Sequence, residues 1–218
     1  MTEKKLEIEG MDIVLVGDFN PSIFQPAWFT SQELIRKEED EAAKIEIIHP
    51  EIVQFSLDWL HLQVTRNKFS ATTSQNPYYN ILKDLVSSTF NILTHTPISK
   101  MGINKNMHFQ MASEDDWHAL GHRLTPKEIW NQILEKPGMR SLSIQGKRTD
   151  DFNGYILVRV EPSRKIHPGV FIHVNDHYEI KDPESVLGCS EIMNILSSSW
   201  ESSISQSDKI AYSLLEEK

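Results

Sequence analysis

A chain of 218 residues with 39% apolar and 24% charged side chains is long enough to bury one full core, which excludes wholesale disorder. Its net charge of −9 argues against nucleic acid as a default partner, because cationic side chains supply most of the affinity for phosphates. The single Cys189 excludes an internal disulfide and a cysteine-based zinc cage; with no apolar run of bilayer length, and no apolar core in Met1 to Gly10, a cytoplasmic protein without membrane association is expected.

Residues 1–10 read as a polar extension and 11–218 as a single domain, divisible into halves 11–113 and 114–218. The near-continuous apolar run Asp12 to Phe19 predicts a strand covered on both faces. Asn20-Pro21 and Gln25-Pro26 break it, and Glu33 to Ala43 follows as an exposed helix led by acids. Ile52 to Phe55 and Leu60 to Thr65 alternate as a hairpin. Asn76 and Pro77 then open a helix along which Tyr78, Leu82, Leu85, Thr89 and Ile92 recur at helical spacing. In Met101 to Met111 the odd positions Ile103, Met107 and Phe109 are apolar, and Asn104, Asn106, His108 and Gln110 face the other way.

Ser113 caps a short helix that opens with Glu114, Asp115 and Asp116. Thr125-Pro126-Lys127-Glu128 is a capping box that predicts a helix to Lys136, burying Ile129, Ile133 and Trp130. Strands follow over 139–145, 155–161 and 169–180, the first two joined by the loop Gly146 to Gly154. A last helix restarts at Asp182-Pro183, with Leu187 or Cys189, Ile192, Ile195, Leu196 and Trp200 on its buried side and a break at Ser202-Ser203. Hairpins with intervening helices indicate the α+β class: a mainly antiparallel sheet with helices packed on it, in a single compact domain.

Within this layout Tyr79 and Leu82, Gly102-Ile103-Asn104-Lys105-Asn106 and Ser203-Ile204-Ser205 resemble the pattern of a sporadically distributed family of bacterial proteins of unknown function. Ile103 stands where that pattern has an aromatic or Arg-Tyr pair. The resemblance implies the fold and a bacterial accessory or antiviral-defence context, and it carries no catalytic residue across.

Three constellations hold candidate chemistry. His118 and His122, with Asp115 one turn earlier, share a helix side as metal ligands would; yet Ala119 occupies the place of the zincin glutamate, so surface histidines and no metal or cofactor are expected. His173 and His177 share one strand face, and with His108, Arg159 and Lys147 they could form an RNase-like cleft for nucleic-acid processing. Cys189 lacks the context of a nucleophile and reads as core. Charge is uneven: Lys136 to Lys165 carries seven bases against three acids, whereas Glu33 to Glu51 carries seven acids against three bases. With no reaction constellation dominant, the first expectation is a non-enzymatic protein-binding or regulatory factor with a basic partner, its His173 and His177 open to solvent and sharing no pocket with Arg159 or Lys147. The alternative is the histidine-dependent enzyme.

Overall fold

The computed structural model describes residues 5–182 and 187–216, which form nine strands and five helices. The strands are β1 (Lys5–Gly17), β2 (Lys44–His49), β3 (Ile52–Ser56), β4 (His61–Thr65), β5 (Lys68–Thr73), β6 (Ile98–Gln110), β7 (Leu142–Lys147), β8 (Asn153–Pro162) and β9 (Gly169–Glu179). They pair in the order β2-β3-β4-β5-β1-β6-β9-β8-β7, antiparallel throughout. The helices are α1 (Pro26–Ser31), α2 (Lys37–Glu41), α3 (Tyr79–Ile92), α4 (Glu114–Leu124) and α5 (Ser190–Leu215). The α+β architecture and the single compact domain are as the sequence indicates, and the β6–β9 ladder runs one sheet through both halves of the chain.

The two longest ladders both include β6, which lies next to the central strand β1. Met101, Ile103, Met107 and Phe109 of β6 are fully buried beneath the helices, so the alternating pattern of this strand sets the register of its neighbours. Buried Leu82, Leu85, Val86 and Phe90 of α3 meet Phe69 of β5 and Phe19 and Phe24 of the β1–α1 connection in one cluster. Met107, Phe109, Val170 and Ile172 form a second cluster with Leu120 of α4 and Ala211 and Leu215 of α5.

Several expectations are corrected. The strand β1 begins at Lys5, so most of the expected polar extension is sheet; and because Asp12 and Val14 lie on the face away from the helices, β1 is covered on one face only. The helix expected over Glu33 to Ala43 shrinks to α2, because Glu33 adopts the left-handed region at φ 57° between α1 and α2, and residues 44–49 after it form an edge strand. The capping box at Thr125 yields no α-helix, only a 3₁₀ turn over Trp130–Gln132, with Ile129 and Ile133 73% and 67% exposed. A helix draws most of its stability from an apolar face it can bury, and Ile129, Ile133 and Leu134 of this segment all stay exposed.

The break expected at Ser202-Ser203 is also absent, and α5 is continuous over 26 residues. Buried Ser199, Ser203 and Ser207 recur every fourth residue, where small side chains let the helix sit close to the sheet. Their neighbours bond within the helix, Ser202 Oγ donating to the Ser199 carbonyl at 2.9 Å. Leu187 is exposed and Cys189 buried, which resolves that choice in favour of the thiol; Pro183 lies outside the described residues.

Candidate functional site

No described helix packs on the second face of the sheet, and alternation puts a defined set of polar side chains there. Following the ladders, one row reads Ser56, His61, Thr72, Asp12, Asn104, Asn175 and Leu157, and its neighbour reads Asn106, His173 and Arg159. The face is concave. Thr72 on β5 and Arg159 on β8 are separated by three intervening strands, which in a flat sheet sets them about 19 Å apart; they nevertheless line one cavity of 590 Å³.

At the centre Asp12 accepts from Asn104 Nδ2 at 2.5 Å and from Asn106 Nδ2 at 2.7 Å. Burial raises the Asp12 pKa above the ordinary carboxylate value, and the two amide donors oppose the shift. Asn106 Oδ1 then meets His173 Nδ1 at 2.9 Å. Burial also pushes His173 below the ordinary imidazole range, the positive charge of Arg159 acting in the same direction and Asp12 against it. The result is a neutral, half-buried imidazole held in one orientation. Gly102 leaves space for this arrangement, since a Cβ there would lie 3.2 Å from Asn104 Oδ1 and 3.3 Å from Asn175 Nδ2.

The other candidates are held separately. His177 is half-buried, stacked on Tyr155 at 4.4 Å with its Nε2 3.1 Å from Glu179. His108 has Nδ1 2.8 Å from Ser163 Oγ, and its ring lies 4.7 Å from that of Phe171. Burial lowers its pKa, and Lys165 adds to the effect. Positions 173 and 177 are four residues apart on one strand, about 13 Å at the usual rise. Thus the three histidines do not converge on one atom, although His108 and Arg159 do share the 590 Å³ cavity. The expectation that His173 and His177 stand open to solvent is corrected: same-face neighbours bury both in part, and Arg159 is the direct cross-strand partner of His173. Lys147, in contrast, is the cross-strand partner of Tyr155 on the edge strand β7.

His118 and His122 project from α4 beside a 390 Å³ cavity that Lys127 and Lys136 also line. Lys127 Nζ is 3.3 Å from His122 Nε2, so a cation already occupies the lone pair a metal would use. Asp115 is exposed, and among the described residues no group of three His, Cys, Asp or Glu side chains is placed to hold a metal. Cys189 is buried with its sulfur 3.1 Å from the Phe90 carbonyl, and burial pushes its thiol pKa up.

Sequence reasoning missed two buried ionic groups on the helix-facing side. Lys105 sits among the apolar odd positions of β6, with Nζ 2.6 Å from Asp208 of α5 and 3.3 Å from Glu9 of β1. Arg148, at the end of β7, pairs with Asp176 of β9 and reaches Asp150 at 2.6 Å, while its guanidinium lies 3.8 Å from the centre of the Tyr178 ring. Asp176 also accepts from the hydroxyls of Tyr178 and Ser203, which ties the hairpin, the sheet and α5 together. Burial works against the Arg148 charge, and its two carboxylates more than offset it, so its pKa is raised. A charged residue on an otherwise apolar face was the available signal for both. No family model matches the chain, and no curated protein matches it either.

Proposed function

We propose that the protein is a non-enzymatic binding factor whose recognition surface is the concave, helix-free face of its sheet. One observation carries this: His108, His173 and His177 share that face, yet each is tied to a different local partner, Ser163, Asn106 and Glu179 respectively. Acid–base catalysis needs two such groups within hydrogen-bond reach of one substrate atom, or one water away. A concave face with fixed polar groups suits recognition instead. An accessory role in a bacterial conflict or defence system rests on the sequence resemblance alone, and a cytoplasmic location rests on composition. Among the described residues no helix is long and apolar enough to cross a membrane.

Affinity isolation from the native cell tests the reading when wild type is run beside two variants. Leu157→Arg with Asn175→Arg places bulk and charge on the face and is expected to release whatever co-purifies. Replacing His173 and His177 together by Ala is expected to lower capture and activity in a cellular assay together, because both side chains belong to that face. Loss of cellular activity in that double variant, with folding and capture intact, overturns the binding reading in favour of the enzyme.

A further inference from the structure

We infer that the 590 Å³ cavity at one end of this face is a nucleotide pocket, with Arg159, Arg164 and Lys165 taking the phosphate, Phe171 the ring, and Asn106 and His108 completing the wall. The inference deepens the proposed function, since it rests on the face being a binding surface and names the ligand class.

Charge identifies the anion. Three cations line the cavity, and neither Arg164 nor Lys165 is within ion-pair distance of a described carboxylate. Glu9 also lines the wall, but its carboxylate is turned to Lys105 at 3.3 Å and to Asn76 at 2.6 Å. That leaves Glu161, which accepts from Ser141 at 3.0 Å and lies 3.5 Å from Arg159 Nε without hydrogen-bond alignment. The Arg159 Nε–H lacks an aligned acceptor, and with the side chain 43% exposed the terminal nitrogens of its planar guanidinium can take a phosphate oxygen. Burial lowers the His108 pKa, and the nearby positive charge of Lys165 adds to the shift.

Size and rings identify the rest of the ligand. The volume falls within the range of pockets that hold small organic ligands, about 300–1,000 Å³, and exceeds what phosphate alone would fill. Phe171 has His108 4.7 Å away on one neighbouring strand, His173 at 6.4 Å along its own, and the Arg159 guanidinium at 5.9 Å. An aromatic floor edged by cations accepts a base by stacking without demanding one base identity. Gly10 and Thr72 leave the opposite wall low and polar. The shared chemistry, a phosphate joined to a flat heterocycle, occurs both in free mononucleotides and in single strands.

Titration calorimetry tests it with AMP, ATP, pyrophosphate and short oligo-dT and oligo-U. Wild type is expected to bind at least one nucleotide saturably below about 1 mM. Arg164→Ala with Lys165→Ala, both surface changes, is expected to weaken nucleotide and pyrophosphate alike by about tenfold or more. Phe171→Leu keeps the packing and removes the ring, so it is expected to weaken nucleotides severalfold and leave pyrophosphate unchanged. Binding of mononucleotides assigns a free ligand, and binding of oligonucleotides alone assigns a strand; either upholds the pocket. No saturable nucleotide binding, or binding that the double variant does not alter, overturns it while leaving partner capture to decide the proposed function. A nucleotide that is bound and also consumed upholds the pocket and overturns the non-enzymatic reading.

Discussion

His173 Nδ1 lies 2.9 Å from Asn106 Oδ1 across the β6–β9 ladder, and the proton between them belongs to the imidazole. Asn106 already donates its amide to Asp12 at 2.7 Å, which turns its carbonyl oxygen toward His173 as an acceptor. His173 is therefore the Nδ1–H tautomer when neutral. Its Nε2 is left as the acceptor, and Arg159 on β8 is the direct cross-strand neighbour of His173.

The first prediction concerns pH. Burial lowers the pKa of both His173 and His108 from the ordinary 6.5, so the folded state binds fewer protons than the unfolded state in the window below that value. Their contribution to stability is fully present above pH 6.5 and is lost as pH falls through the depressed folded values. Asp12 has the opposite sign: its raised carboxyl favours folding below the ordinary 3.8 and loses that share as pH rises. Imidazole resonances of His108 and His173 followed by NMR are expected to titrate below 6.5; midpoints above it would refute the buried neutral pair.

The second concerns the buried ion pair. Arg148 and Asp176 side chains are 4% and 3% exposed, so removing one partner strands the other charge in the core. Arg148→Met is expected to cost about 3–5 kcal/mol in denaturant unfolding. Adding Asp176→Asn is expected to recover part of that, since the uncompensated charge is gone while Tyr178 and Ser203 keep a partner. Equal losses in the single and double variants would show that the charge is not what matters.

The third concerns the core. Phe109 is fully buried, with its ring edge-on to Tyr212 at 5.5 Å. Phe109→Ala is expected to cost about 3–5 kcal/mol through lost transfer energy and the cavity left behind. A melting temperature close to wild type would contradict its place in the second cluster.

The fourth concerns metal at α4. With Lys127 beside His122 and Lys136 on the same cavity, a divalent cation meets like charge. Elemental analysis of the purified protein is expected to find no stoichiometric zinc, and zinc that disappears on His118→Ala or His122→Ala would reverse the assignment.

The pattern of single segments determined much of this protein. Alternation in Ile103, Met107 and Phe109 specified which side of β6 is core, and the helical spacing of Leu82, Leu85 and Thr89 specified α3, because both depend only on a neighbour's ability to bury an apolar face. The shared face of His173, Asn175 and His177 was legible for the same reason. Tertiary structure decided what the pattern left open. Thr125 to Lys136 has every local helix signal but finds no apolar surface to cover, whereas the serines of α5 gain one and continue the helix. The buried pairs of Lys105 and Arg148 join residues on distant strands and α5, and the 590 Å³ cavity brings Thr72 and Arg159 together across three intervening strands. Such groups exist only once strand order and curvature are set, and neither is a property of any local stretch of residues.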